Sequence, residues 1–241
     1  MEKKKIGIVG GMGSRAGVFL LKRIIDHSPA ETDQEFPEII FHNNSMIPDR
    51  TRAIIYNERS PLSDILRSVD LFNRNNVELI GMGCITAHYY YEEIAAYTDA
   101  MVLNPLQTVS AHIQRTYPGA GRIGVLATTG TIRTGLFHKE MDKHDLKVVT
   151  LHSEQQENLF MKAVYMKSGF KSAVISEEAR RLMKESVTRL MEQGVDVIVG
   201  GCTEVSVAME FQHMEVPFID ALDLLAQRIV HCCYNPISIH I

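Results

Sequence analysis

Apolar positions along the chain fall into short continuous runs alternating with longer stretches of helical spacing. Lys5–Gly10 is a short apolar run ending in glycines, and Val18–Ile25 then carries Phe19, Leu20, Ile24 and Ile25 at helical intervals. Glu38–His42 reads as a second strand and Val77–Gly83 as a third. Between them Leu62, Ile65, Leu66, Val69 and Phe72 predict an amphipathic helix over Leu62–Phe72. An aromatic helix is expected around Tyr89–Tyr97, and Met101–Leu103 is a brief strand closed by Asn104-Pro105. The pattern restarts with a strand at Arg122–Ala127, a helix near Gly135–His144 and a strand at Lys147–Leu151. Long helices are predicted over Glu154–Lys167 and Glu177–Gln193, strands at Val195–Gly201 and Val216–Ile219, and a last helix at Leu222–Val230. Such alternation predicts an α/β protein with parallel sheet covered by helices.

The restart is a repeat. Lys5-Ile6-Gly7-Ile8-Val9 matches Arg122-Ile123-Gly124-Val125-Leu126, with Ile6 and Ile123 lying 117 positions apart. Val77 to Cys84 matches Val195 to Cys202 at a spacing of 118, nearly the same register. Duplication of a half-sized α/β unit follows. The expected fold is two pseudo-symmetric α/β subdomains, each with a small parallel sheet flanked by helices, and an active site in the cleft between them.

Composition narrows the function. The chain has 241 residues, 45% apolar and 22% charged, enough for a sizeable core and too little charge for disorder. A formal net charge of −4 with no basic stripe excludes nucleic acid as the expected partner. No apolar run approaches the roughly 20 residues of a membrane span, and no signal-peptide core follows Met1, so the cytoplasm is the expected location. Four cysteines without a Cys-x-x-Cys pair are not a disulfide framework, and no Cys/His cluster has zinc spacing, so no metal is expected.

In open α/β sheets ligands sit beyond the carboxyl ends of the strands. The repeat puts Cys84 and Cys202 there, at corresponding places in the two halves. A lone buried cysteine usually behaves as a small hydrophobe. Two at repeat-related strand ends, each after glycine, are better read as a pair flanking one carbon, a thiolate base on one face and a thiol acid on the other. A thiol near a helix N-terminus, as in the turn before Tyr89, ionises below its usual pKa of about 8.5. Cys232 and Cys233 lie outside the repeat and read as core. Gly11-Met-Gly13-Ser-Arg-Ala16 fits a dinucleotide-binding loop, but the second strand ends in His42-Asn43-Asn44 rather than an acid, which argues against that oxidoreductase.

Several segments together resemble the pyridoxal-phosphate-independent aspartate/glutamate racemases, of the aspartate racemase type, over nearly the whole chain. They are Ile6 to Gly13, Asn43-Asn44 with Ile47-Pro-Asp-Arg50, Cys84-Ile-Thr-Ala-His88, Leu126 to Thr131, Lys167-Ser-Gly169 and Gly201-Cys-Thr-Glu204. The resemblance implies cofactor-independent 1,1-proton transfer at the α-carbon of aspartate, and possible action on glutamate, with Cys84 and Cys202 as the acid/base residues. It further implies that Arg50 and Lys167 hold the side-chain carboxylate. Met12, Asn43, Thr86, Thr128, Thr131 and Thr203 would meet the α-carboxylate and ammonium, and Glu204 would support the second cysteine. A homodimer is implied, as are subdomains of residues 1–104 plus 216–241 and 105–215.

Chemistry agrees with these roles: Arg binds carboxylates bidentately, and Thr and Asn donate without adding charge, though they serve equally as caps and turns. His88 either tunes Cys84 or starts a helix. One departure stands out, since Ile85 occupies the family's Asn position in Cys-Asn-Thr-Ala-His. It motivates two alternatives: a non-catalytic acidic amino-acid binding protein on the racemase scaffold, or a related cysteine-dependent isomerase or decarboxylase.

Overall fold

The computed structural model describes residues 3–209 and 214–235. In chain order the first elements are β1 (Ile6–Gly10), α1 (Ser14–His27), β2 (Ile39–Asn43), α2 (Arg50–Tyr56), α3 (Leu62–Asn73), β3 (Leu79–Met82), α4 (Tyr91–Ala95) and β4 (Met101–Val102). Then come α5 (Pro105–Thr116), β5 (Arg122–Leu126), α6 (Thr129–Arg133), α7 (Leu136–Met141), β6 (Lys147–Val149) and α8 (Ser153–Gln155). The last are α9 (Lys162–Tyr165), α10 (Glu177–Met191), β7 (Val197–Gly200), α11 (Thr203–Met209), β8 (Phe218–Asp220) and α12 (Ala221–Tyr234).

The chain divides into two compact units, residues 1–104 with 222–241, and residues 105–221. Each holds a four-stranded sheet, ordered β2-β1-β3-β4 in one and β6-β5-β7-β8 in the other. Every pairing is parallel. The sequence repeat is therefore a repeat of topology, strand for strand.

In the first unit the two-residue alternation of a strand sorts side chains between the sheet's faces. Ile6, Ile8 and Leu79 pack with Leu20 and Ile24 of α1 and with Leu222, Leu225 and Ile229 of α12. Val9, Ile80 and Met82 pack with Ile65, Val69 and Phe72 of α3 and Ile94 of α4. Both faces are buried, so these strands read as continuous apolar runs. Glycine is required where α1 lies closest to the sheet: a Cβ on Gly17 would come 2.8 Å from the Gly10 Cα. In the second unit α9, α10 and the turn before α9 supply the corresponding face, with Phe160 of that turn and Val164, Leu182, Val187 and Leu190 against Leu126 and Ile198.

Several expectations shift. The aromatic helix resolves into a 3-10 turn over Thr86–Tyr90 followed by the short α4. The single helix expected over Glu154–Lys167 is three pieces, with a π-helical stretch at Gln156–Met161 between α8 and α9. Helices α2, α6 and α11 had no apolar periodicity strong enough to predict them, and α5 was not predicted although Leu106, Val109 and Ile113 carry helical spacing. Strand β8, expected with the first subdomain, pairs with β7 in the second unit, and only α12 returns to the first. Among the described residues no helix is long and apolar enough to cross a membrane.

Candidate functional site

In both sheets the chain's direction of progress across the strands reverses between the first strand and its third-strand neighbour, between β1 and β3 and between β5 and β7. Ligands of open parallel sheets bind beyond the carboxyl ends at such points. The loops that leave those ends carry most of the candidate residues.

In the first unit Cys84 follows β3 by two residues and is buried in one apolar cluster with Met12 and Ile47. The loop after β1 is shaped by Gly11, whose φ of +88° lies in the left-handed region. Arg50 opens α2 and is only 5% exposed. Its Nη1 donates to the Pro48 carbonyl at 2.7 Å and its Nη2 to the Met12 carbonyl, so the guanidinium ties the loops after β1 and β2 together. Asp49 caps that helix by accepting from the Arg52 amide at 2.9 Å. Asn43 ends β2 with its side chain exposed, while Asn44 is the buried member of the pair. Asn44 Nδ2 donates to the Asp64 carbonyl at 3.0 Å, and its Oδ1 accepts from Arg67 Nη2 at 3.0 Å.

Thr86 and Ile85 are buried beside Cys84 in the chain. His88 Nδ1 lies 3.1 Å from the Cys84 carbonyl and 3.2 Å from that of Ile85. Facing two acceptors, that nitrogen carries the proton and fixes the backbone on which Cys84 sits. Burial pushes the His88 ring down to about 4, so it is neutral near pH 7 and serves as a backbone lock rather than a proton source.

In the second unit Cys202 follows β7 by two residues and is buried, and Thr203 and Glu204 open α11. Cys202 Sγ donates to Glu204 Oε2 at 2.7 Å, and Thr203 Oγ1 donates to the same oxygen at 3.2 Å. Lys171 Nζ reaches Glu204 Oε1 at 3.2 Å. Burial, and then the adjacent Glu204 charge, push the Cys202 thiol well up. Burial alone would raise Glu204 too, but the Lys171 charge and the thiol hydrogen bond outweigh it and leave the carboxyl below its ordinary value. At rest the second sulfur is therefore a thiol that donates to a carboxylate.

The turn that delivers Lys171 is a tight reversal after α9. Ser168 takes a left-handed φ of 58°. The Phe170 amide then bonds the Ala163 carbonyl at 3.0 Å, and a Cβ on Gly169 would come within 2.6 Å of that same oxygen. Lys167 stands exposed before this reversal. Lys171 comes back over Tyr165, its Nζ 5.2 Å from the ring centroid. Sequence reasoning chose Lys167 and missed Lys171, because the reversal that returns residue 171 depends on a backbone conformation at a serine.

Thr128 and Thr131 lie beyond β5, the strand paired with β7. Thr128 is the N-cap of α6, its Oγ1 accepting from the Thr131 amide at 3.4 Å and lying 3.3 Å from Thr131 Oγ1. Gln156, also absent from the predicted site, donates to the Ala127 carbonyl at 2.9 Å from the π-helical stretch and holds this loop. Thr128→Val keeps the shape of the side chain but removes the cap. Thermal or denaturant unfolding should show a loss of about 1 kcal/mol, and an unchanged midpoint would mean the cap contributes nothing.

Two like α/β units, each with a buried cysteine two residues beyond its switch-point strand, define a duplicated α/β protein. The model of the Asp/Glu/Hydantoin racemase family matches residues 9–229, and the chain belongs to that family. It is 24% identical to the broad specificity amino-acid racemase RacX of Bacillus subtilis over 93% of this chain and 96% of that protein. It is 26% identical to the glutamate racemase of Lactobacillus acidophilus over 94% of this chain and 80% of that one. Its fold is shared by the aspartate racemase of Picrophilus torridus, with a TM-score of 0.84 and 24% identity over 96% of this chain and 94% of that one.

Proposed function

We propose that the protein interconverts L- and D-aspartate, with glutamate as a second substrate, by cofactor-independent proton transfer between two cysteines. The observation that carries this reading is the placement of Cys84 and Cys202, two residues beyond β3 and β7, the equivalent strands of two like units. The names of similar proteins support the substrate class: one is an aspartate racemase, one a glutamate racemase and one a racemase of broad specificity.

In this reading one thiolate removes the α-proton and becomes a thiol, the electron pair passing into the α-carboxylate. The other thiol then protonates the opposite face and becomes a thiolate. The mechanism requires both sulfurs to reach one α-carbon. The Cys202 thiol, bonded to Glu204, would act as the acid in the direction in which Cys84 acts as the base, and the roles would exchange in the reverse direction. Arg50 and Lys167 would hold the side-chain carboxylate. Met12, Asn43, Thr86, Thr131 and Thr203 would meet the head group, where hydrogen-bond donors aimed at the α-carboxylate stabilise the charge that develops on it. Thr128 would contribute there while capping α6.

The test is incubation of L-aspartate in deuterium oxide with no added cofactor, followed by chiral chromatography and mass spectrometry. D-aspartate carrying one α-deuterium is expected, together with slower turnover of glutamate. Binding without exchange, or release of carbon dioxide, would overturn the reading.

A further inference from the structure

Glu204 is a buried carboxylate beside a buried thiol, an arrangement that costs heavily unless the charge is compensated. The compensation comes from Lys171. We propose that Lys171 is a positioning residue for the second acid/base group: its ammonium anchors the Glu204 carboxylate that accepts from Cys202 Sγ, so a Lys171–Glu204–Cys202 chain orients that sulfur and keeps its proton in place. The geometry is continuous, with Lys171 Nζ 3.2 Å from Glu204 Oε1 and Cys202 Sγ 2.7 Å from Glu204 Oε2. Each carboxylate oxygen faces a different partner, so the position of the ammonium sets the oxygen presented to sulfur.

The lysine is itself held. Its charge lies over the Tyr165 ring within the range of a cation–π contact, and its own backbone amide bonds the Val164 carbonyl at 3.3 Å. Only a quarter of its side chain is exposed, so solvent screens the pair weakly. Among the described residues, the groups facing the carboxylate are then Lys171 from the turn after α9, the Thr203 hydroxyl, the Cys202 thiol and Glu204's own backbone amide. Asp220 of β8 is bonded to Ser206 Oγ at 2.7 Å further along α11. From α9 and α10 the side chains that share the core with Cys202, such as Val164, Leu182 and Val187, are apolar. The assembly of ammonium, carboxylate and thiol is neutral as a whole, which a dry site favours. Removing the ammonium leaves a buried carboxylate that takes up a proton at higher pH. The resulting carboxyl accepts from sulfur more weakly, without the help of its charge, and gains an O–H donor of its own.

The catalytic consequence rests on the racemase reading, whereas the charge relation does not, and the experiment separates them. Lys171→Met and Lys171→Gln remove the charge with two different side chains, and Lys171→Arg keeps it. Infrared spectroscopy of each protein should show a protonated-carboxyl stretch near neutral pH in the first two and not in Lys171→Arg, and the band should vanish when Glu204→Gln is added. In kinetics the acid limb of kcat/KM should move upward in both neutral variants. Activity would fall about tenfold at mildly acidic pH, the equivalent of one pKa unit, and recover toward alkaline pH. A structural role alone predicts the same fractional loss at every pH. An absent band together with an unmoved limb would overturn the proposal. A band in a protein that racemises nothing would uphold the charge relation and refute the racemase reading.

Discussion

Alanine at either Cys84 or Cys202 is expected to stop inversion of configuration while leaving one-sided exchange of the α-proton. In a two-base mechanism each sulfur serves one face of the α-carbon, so a variant with one sulfur can still remove a proton and return one from solvent to the same face. Inversion needs a donor on the far side, which alanine cannot supply. General acid or base assistance contributes typically 10²–10⁴-fold, and racemisation by each variant should fall by about that much or more. The diagnostic result is the pair of labels. In deuterium oxide Cys84→Ala and Cys202→Ala should each label one enantiomer of aspartate at Cα without inverting it, and the two variants should label opposite enantiomers. Folding should survive, because the buried sulfur is small and the Glu204 contacts to Lys171 and Thr203 remain in Cys202→Ala. Near-normal racemisation by either variant would remove that cysteine from the mechanism, and labelling of the same enantiomer by both would refute the division of faces.

Much of this architecture is legible in the amino-acid pattern for a definite physical reason. Strands buried on both faces are continuous apolar runs, so β1, β3, β5 and β7 are visible without a structure. The helices that press one face on those strands, α1, α3 and α10, show their spacing because that face is broad. Helices α2, α6 and α11 escape notice because they start within or beside the candidate site. Their first turns hold Arg50, Thr131 and Glu204, so polar side chains occupy positions that would otherwise show an apolar stripe. Helix α5 was hidden by Asn104-Pro105, which reads as a stop, yet proline at the first helical position is favourable because its missing amide has no helical partner to lose. The π-helical stretch escapes for another reason, since a single widened turn inside a helix leaves no distinct spacing in the sequence.

The same limits govern the site. The position of both cysteines beyond equivalent strands was legible because duplication marks them twice. Arg50 and Glu204 were legible only through family resemblance, and the structure adds what each touches. The Arg50 guanidinium is anchored to main-chain carbonyls of two loops, which makes it a part of the scaffold as well as a candidate clamp. Asn44, the less conspicuous half of the Asn-Asn pair, is the one buried in hydrogen bonds. Lys171 depends on a left-handed serine, and no spacing rule connects residue 171 to residue 204.

Gly11→Ala is expected to be the most damaging small substitution in the first unit. Its backbone lies at φ +88°, where an L side chain is strained whatever the space around it. There is also no space: a Cβ would come 2.2 Å from the Asn44 carbonyl carbon, 2.3 Å from its oxygen and 2.6 Å from the Ser45 amide nitrogen. These are main-chain atoms and cannot rotate away. Asn44 is held further by Ser68 Oγ, 3.2 Å from its Nδ2, and by its own amide bonded to the His42 carbonyl at 3.0 Å. Relief must therefore move the loop after β1, which carries Met12, or the loop after β2, which leads to Arg50, and Arg50 binds carbonyls of both. Strain of about 1–3 kcal/mol for the backbone conformation adds to the clash, so a loss of at least about 3 kcal/mol is expected, a large share of a typical domain's 5–15. Activity should fall further than the folded fraction does, because the surviving molecules carry a displaced Met12 and Arg50. Gly119→Ala is the control: nothing lies within 4 Å of its Cβ position, and the change should leave the unfolding midpoint level or slightly raised. Equal midpoints and equal activity for Gly11→Ala and Gly119→Ala would show that the loop after β1 is not set by that glycine.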